Sequence, residues 1–421
     1  MSLTPSAFPT AIPTSRQLEF QSWELGLFLH FGIRTFYDGH RDFDGQLMSP
    51  ERFNPTQLDC EQWCRTAKDA GFKYIVFTAK HHDGFCNWPS KFTDFSVASS
   101  PWRNGQGDVM RELSQACVRH DLKLGVYYSP ADWKSPVYDD PQAYDDYFIN
   151  QLSELLSNYG QIDMLWLDGC GSEKHSYDWD RIVKEARRLQ PEILLFNMGH
   201  PDYRWVGNED GLTPRPLWNT IAELTGSILS ESADLLSQPQ WLPAECDCRM
   251  RERNWFYSSS DEHTVKSVKE LMGFYYYSVG RGANLLLNIG PGPRGLLPDL
   301  DTARMLEFGA EIARRFGSPL ATLEDFKPIC GGWEYHPIES FYFDHVVAQE
   351  KLTKGEHIRR FSIEIDTLLH GHTIAIYEGR NVGQKAICHF PPIRARAVRF
   401  LIDESDGEAE LLCIEIHCSS Q

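Results

Sequence analysis

The sequence predicts an α/β fold: a (β/α) TIM-like barrel followed by a C-terminal antiparallel β-sandwich. Three observations predict it. Short apolar, β-rich runs alternate with helix-period segments over roughly the first three hundred residues. The polar residues cluster where those runs end. After about Trp333 the helical period stops and only strand-like segments remain. The implied division is a barrel domain over 1–325 and a sandwich over 326–421. A chain of 421 residues exceeds what a single core usually serves, so one large and one smaller domain are expected.

The apolar runs are Leu25–Gly32, Tyr74–Lys80, Leu122–Ser129, Ile162–Asp168, Ile193–Met198 and Leu285–Ile289. Helix-period segments lie between them at Cys60–Ala70, Asp108–His120, Tyr144–Tyr159 and Asp180–Gln190, and Thr302–Phe316 closes the series. Continuous apolar strands separated by amphipathic helices are parallel strands covered on their outer face. No Gly-x-Gly-x-x-Gly follows the first run, which argues against an open nucleotide-binding sheet. Residues 205–260 break the rhythm, so irregular or short strands are expected there. Beyond them, Arg360–Ile365, Thr373–Tyr377, Lys385–Phe390, Ala397–Ile402 and Leu411–His417 read as sandwich strands separated by turn residues.

Composition excludes several classes. The net charge of −18 disfavours nucleic acid and anionic membrane surfaces, which require basic patches. No apolar run reaches the length of a membrane span. Met1–Ser15 lacks the basic and apolar regions of a signal peptide, and the compartment is left open. The eleven cysteines are scattered and odd in number, which suits free thiols better than a disulfide framework. Cys60 with Cys64 and Cys246 with Cys248 fall on a helix-like and a strand-like stretch, not on the loops of a zinc site, so no metal and no cofactor are expected. Twelve Trp and 13% aromatic residues suit sugar binding, and equally a large aromatic core.

The strand ends carry the chemistry. The first ends in His30-Phe31-Gly32, the second in Lys80-His81-His82-Asp83, and the third in Tyr127-Tyr128-Ser129. The fourth ends in Trp166-Leu167-Asp168-Gly169 and the fifth in Asn197-Met198-Gly199-His200. Barrel sites gather at the C-terminal ends of strands, so these residues are expected to share one pocket. Asp168 stands out because its carboxylate emerges at the barrel mouth. A helix-capping role is the competing account, but the next helical pattern starts only near Tyr177–Asp180. Adjacent histidines on a strand face opposite ways, so His81 and His82 can both enter the pocket only if the strand ends there and the chain turns. A metal-binding role for them is weaker, because carboxylate-rich partners are not evident.

At these residues the chain resembles the α-L-fucosidases of glycoside hydrolase family 29. The resemblance rests on Pro13–Leu18, Leu29–Gly32, Ala79–Ser100, Tyr147-Phe148 with Gln151-Leu152, and Trp166–Gly169. Pro243–Glu245, Trp255–Tyr257, Ser278–Arg281 and Asn284–Asn288 complete it, in family order over roughly Pro13–His417. It implies a retaining exo-acting hydrolase of terminal α-linked L-fucose with Asp168 as nucleophile. It also implies that His30, His81 and His82 line the sugar pocket, with Tyr128 and Trp255 as further walls and Arg251 near the Trp-Phe-Tyr segment. Arg204–Glu209 resembles the segment bearing the acid/base in the subgroup acting on α-1,3 and α-1,4 fucose, which makes Glu209 the candidate. Glu245 is the rival, and Glu252 a third choice. Relatives often carry a Glu-Trp pair after the first strand; here Asp38–Gly45 holds none.

The expected partner is therefore a fucosylated oligosaccharide or glycoconjugate, with an apolar wall such as Phe31 for the sugar's methyl group. Competing readings are a carbohydrate-binding protein that has lost the chemistry, a metal-dependent barrel hydrolase, and a glycosidase of L-galactose. The sandwich is expected to brace the barrel rather than bind glycan.

Overall fold

The computed structural model describes residues 11–38, 48–226, 233–369 and 372–419. Barrel strands β1 (Leu25–Leu29), β2 (Tyr74–Lys80), β3 (Lys123–Tyr128), β4 (Met164–Trp166), β5 (Leu194–Phe196) and β6 (Arg204–Trp205) follow in chain order. A hairpin of β7 (Thr220–Leu224) and β8 (Asp234–Trp241) precedes β9 (Ala244–Arg249) and β10 (Asn284–Asn288). The sheet runs β5-β4-β3-β2-β1-β10-β9-β6, all parallel. A parallel bridge between Phe196 and Tyr203 joins its two edges and closes the barrel. The expected irregularity at 205–260 is thereby explained: β6 has two residues, and an antiparallel hairpin stands where a covering helix would be.

Aspartates set most helix starts. α2 (Cys60–Asp69), α3 (Val109–Arg119), α4 (Pro141–Asn158) and α5 (Trp179–Leu189) are capped by Asp59, Asp108, Asp140 and Asp178, whose carboxylates accept an otherwise orphaned backbone N–H. α6 (Val268–Tyr277) begins with a Ser267/Glu270 capping box, and α7 (Asp299–Phe316) follows Pro298. α1 (Ser15–Trp23), which the periodicity did not reveal, plugs the bottom of the barrel with Phe20 and Trp23. Its Gln17 Nε2 donates to the carbonyls of Asp202 and Trp241.

Strand alternation sorts the residues into two cores. Leu27, Leu29, Ile75, Phe77 and Val126 point outward to the helices. Phe28, Tyr74, Val76, Tyr127, Met164, Trp166, Phe196, Trp205 and Leu286 fill the interior. Space inside is rationed by glycines: a Cβ on Gly26 would stand 2.2 Å from the Tyr74 ring. Tyr74 can cross the barrel floor only because Gly26 is bare.

The C-terminal strands form two antiparallel sheets. One orders Ala321–Thr322, Leu411–His417, Phe341–Glu350 and Ala386–Ala395; the other orders Lys327–Ile329, Gly332–Tyr335, Ala397–Ser405, Ile358–Asp366 and Thr373–Gly379. Their inner faces share a core of Phe343, Val346, Phe361, Ile363, Phe400, Ile414 and Ile416. The expected sandwich strands are present, and Phe341–Glu350, which was not anticipated, lies at the centre of one sheet. The sandwich meets the barrel through buried Glu356, whose carboxylate accepts from Asn219 N at 2.7 Å, Asn219 Nδ2 at 2.9 Å and Thr220 N at 3.2 Å. Asn219 in turn accepts from Gln21 of α1, so the sandwich, the hairpin and the barrel plug are one hydrogen-bonded unit.

Gly26→Ala is expected to lower stability by about 1–3 kcal/mol through overpacking against Tyr74. Urea unfolding monitored by Trp fluorescence measures it, and an unchanged midpoint would show that the floor can yield.

Candidate active site

A cavity of about 920 Å³ opens at the C-terminal ends of the barrel strands. Its floor is Phe28, Tyr127, Trp166, Phe196 and Trp205, the upper interior layer of the barrel. His30, His81, His82, Asp168, Glu209, Asp247 and Trp255 stand above it. The expectation that several strand ends converge on one pocket therefore matches the geometry.

Asp168 lies two residues beyond the end of β4, in phase with inward Met164 and Trp166. One of its oxygens accepts from Cys170 N at 2.8 Å and the other from the Tyr127 hydroxyl at 2.9 Å. His82 Nε2 lies 3.5 Å from the second oxygen. The carboxylate is 26% exposed, toward the cavity, so a ligand can reach it. Burial pushes its pKa up to about 6, against the two hydrogen bonds, which favour the anion. It does not cap α5, whose N-terminus belongs to Asp178.

Both histidines enter the cavity because β2 stops at Lys80 and the chain turns, with Gly84 N donating to His81 O at 2.9 Å. His82 Nδ1 pairs with Ser129 Oγ at 2.6 Å, while that hydroxyl donates to Ala131 O. The hydroxyl proton being committed, Nδ1 is the donor and Nε2 faces Asp168. His81 lies parallel to the Tyr127 ring, and its Nδ1 is buried with no hydrogen-bond partner among the described residues. Burial, then the neighbouring His82 and Arg34, hold its pKa well below the ordinary imidazole value. Asn288 Nδ2 donates to Trp255 O, which turns its Oδ1 toward His30 Nδ1 at 2.7 Å. Burial brings His30 down to about 3. His30 is thus neutral, with Nδ1–H tied to Asn288 and Nε2 left as an acceptor at the cavity.

Five expectations about site residues meet a different geometry. Tyr128 is outside the cavity: it follows Tyr127, so alternation turns it outward, where its ring packs on Phe148 and the Lys80 ammonium. Tyr127 takes the inward place. Arg251 is also outside, because Asp301 and Asp261 engage its guanidinium at 2.8 and 3.0 Å and Ser258 O accepts a further bond. It anchors the loop that carries Trp255. Glu245 lies on β9 below the cavity, 1% exposed, accepting from Tyr74 OH at 2.6 Å and Trp166 Nε1 at 2.8 Å. Burial lifts it to about 7, yet it does not line the cavity. Glu252 is exposed and away from the lining, and Phe31 faces the outer core, leaving the apolar wall to Phe28, Trp166 and Phe196. The loop Gly39–Gly45, where the Glu-Trp pair is missing, lies outside the described residues.

Tyr127 is among the expected strand ends, although the expected wall is Tyr128; sequence reasoning missed Asp247 and Arg249. The last two share the β9 phase with Glu245, and that alternation was the available signal. Asp247 accepts from Trp205 Nε1 at 2.7 Å. Burial, and then the negative charge of Glu209, push its carboxyl well above the usual range. The ligand atoms of His82, Asp168 and Cys170 lie within 4.8 Å of one another, the one group with metal-ligand spacing among the described residues. It offers a single carboxylate, that of Asp168. The cysteines are all free thiols, most of them buried. No helix among the described residues is long and apolar enough to cross a membrane.

A parallel barrel with an aromatic floor, neutral imidazoles and carboxyl groups at its mouth defines a (β/α)-barrel glycoside hydrolase. A profile of the alpha-L-fucosidase family matches residues 37–314. Alpha-L-fucosidase 1 of Arabidopsis thaliana is 39% identical over 319 residues, covering 74% of this chain and 62% of that protein. A glycoside hydrolase 29 family member from an unknown rumen bacterium superposes with a TM-score of 0.88 at 33% identity, covering 98% of this chain and 78% of the other. A Ruminococcus gnavus GH29 fucosidase solved in complex with fucose gives 0.83 at 26% identity, over 99% and 97%. The chain belongs to the alpha-L-fucosidases of glycoside hydrolase family 29. It is a retaining exo-glycosidase acting on fucosylated glycans.

Arg251→Ala is expected to cost about 3–5 kcal/mol of stability, since two buried carboxylates lose their cation. Calorimetric unfolding tests this. A stable variant with a selectively raised KM would instead return Arg251 to the sugar.

Proposed function

We propose that the enzyme releases α-1,3- and α-1,4-linked L-fucose from branched glycans, with Asp168 as nucleophile and Glu209 as acid/base. The observation that carries this reading is that Asp168 and Glu209 line the same cavity while Glu245 is sealed beneath it. The likeness of Arg204–Glu209 to the subgroup's acid/base segment supports the linkage.

The reaction follows from the two carboxyls. Asp168 attacks C1 as the glycosidic oxygen departs with the Glu209 proton, leaving a fucosyl ester on Asp168. Water then gives a proton to the Glu209 carboxylate and attacks C1, which frees Asp168 with net retention. The Tyr127 hydroxyl and Cys170 N–H steady the aspartate in the ionised form that the first step requires. His30, His81 and His82 offer acceptor and donor nitrogens to the sugar hydroxyls, and Phe28, Trp166 and Phe196 an apolar surface for its methyl group.

Asp168→Ala is expected to lower turnover by at least about a thousandfold while fucose still binds. Glu209→Ala should lose roughly 10²–10⁴-fold on natural glycans but much less on an aryl fucoside with a good leaving group. Free fucose from α-1,2, α-1,3, α-1,4 and α-1,6 oligosaccharides is the readout. Release confined to α-1,2 or α-1,6 would overturn the linkage, and equal Glu209→Ala losses on both leaving groups the acid/base.

The pH profile is a separate expectation. Asp168 must be ionised, so kcat/KM should fall as pH drops through about 6. Tyr127→Phe removes a hydrogen bond to the anion and should move that acid limb upward. A limb that stays in place in the variant would detach Tyr127 from the nucleophile.

A further inference from the structure

We propose that Arg249 and Arg253 form an anion-binding subsite for the aglycone, so that the preferred substrates carry a carboxylate or a sulfate ester near the fucose. This rests on the reading of Glu209 as the acid, which places the leaving oxygen beside β6 and its loop. β9 is the strand next to β6, pairing Arg204 with Ala244 and Trp205 with Glu245. Arg249 ends β9 in the inward phase of Glu245 and Asp247, and Arg253 follows on the loop at the rim. A sugar departing from Glu209 therefore passes the two guanidiniums.

Their pairing sets them apart from the other arginines around the site. Arg34 is held by Asp83 at 3.0 Å, and Arg251 by Asp261 and Asp301. Arg249 has no carboxylate partner among the described residues; its Nη1 donates to Arg253 O at 3.0 Å, and its guanidinium lies 5.2 Å from the centre of the Trp255 ring. The Arg253 side chain has no hydrogen bond or ion pair among the described residues, and it is exposed.

Neither arginine forms an ion pair with Asp168 or Asp247 among the described residues. Lys266 adds to the positive potential, its ammonium donating to the carbonyls of Arg249 and Arg251 at 2.8 and 2.9 Å. Arg249 is held in place by Trp255 and one carbonyl, with donors to spare. A planar fork in that state suits carboxylate or sulfate oxygens in a bidentate manner.

The test compares one fucosylated oligosaccharide in three forms: neutral, with a sialic acid carboxylate, and with a sulfate ester on the sugar bearing fucose. Wild-type kcat/KM should favour at least one anionic form by about tenfold, the scale of one charge-assisted contact. That advantage should shrink with added salt. Arg249→Gln and Arg253→Gln, singly and together, should reduce the ratio of anionic to neutral kcat/KM toward unity. Taking the ratio within each variant cancels any general loss, and exposed Arg253 serves should Arg249→Gln fold poorly. Which anionic arm gains identifies the source of the charge. Equal rates on all three forms, or a preference that survives both substitutions, overturns the subsite. If the neutral α-1,3 and α-1,4 glycans are not cleaved, the linkage reading falls instead, and the three forms are compared on the linkage that is.

Discussion

The whole site depends on the two-residue period of strands closed into a barrel. Closure leaves each inward position one place in a layer, so a side chain's depth follows from its count along the strand. Along β4 and just past its end, Met164 lies low, Trp166 forms floor and Asp168 reaches the mouth. In β9 the same count runs Glu245, Asp247, Arg249, from a sealed acid through a half-shared one to a cation at the rim. Gly26 belongs to the same logic, since its missing side chain lets Tyr74 span the floor and donate to Glu245. A slip of one residue in any strand would turn its polar residues into the outer core.

The electrostatics of the cavity follow from this packing. An aromatic floor excludes water, which raises the cost of every charge above it. Asp168 bears that cost because two donors are aimed at it, and it is held at a pKa from which it can serve near neutrality. Asp247 and Glu209 share a region where the charge of one raises the other. His30 and His81 answer the same burial by staying neutral, so they recognise hydroxyls through oriented lone pairs and N–H groups. One layer of buried rings therefore fixes the protonation states that the chemistry above it uses.

Support comes from beyond the barrel mouth. Arg251, clamped between Asp261 and Asp301, ties the loop bearing Trp255 to the start of α7. Asn288 links that loop to His30, so the aromatic wall and the imidazole hold a common position. On the far side, Glu356 of the sandwich satisfies Asn219 at the base of the hairpin that replaces a barrel helix. The sandwich thus braces the part of the barrel with the least regular covering.

The residues themselves determined the barrel, its main strands and the mouth location of His30, His81, His82, Asp168 and Trp255, because apolar runs and polar strand ends are local patterns. They also carried the family, through motifs kept in order along the chain. Three-dimensional packing decided which neighbour faces in: Tyr127 rather than Tyr128, and Glu209 at the cavity with Glu245 beneath it. It also decided that Arg251 is clamped by carboxylates while Arg249 is not, since the carboxylates responsible lie ten and fifty positions away along the chain. Local spacing records the period of a strand but not its phase against the closed sheet. That phase is set only when all eight strands and the plug of α1 are packed together.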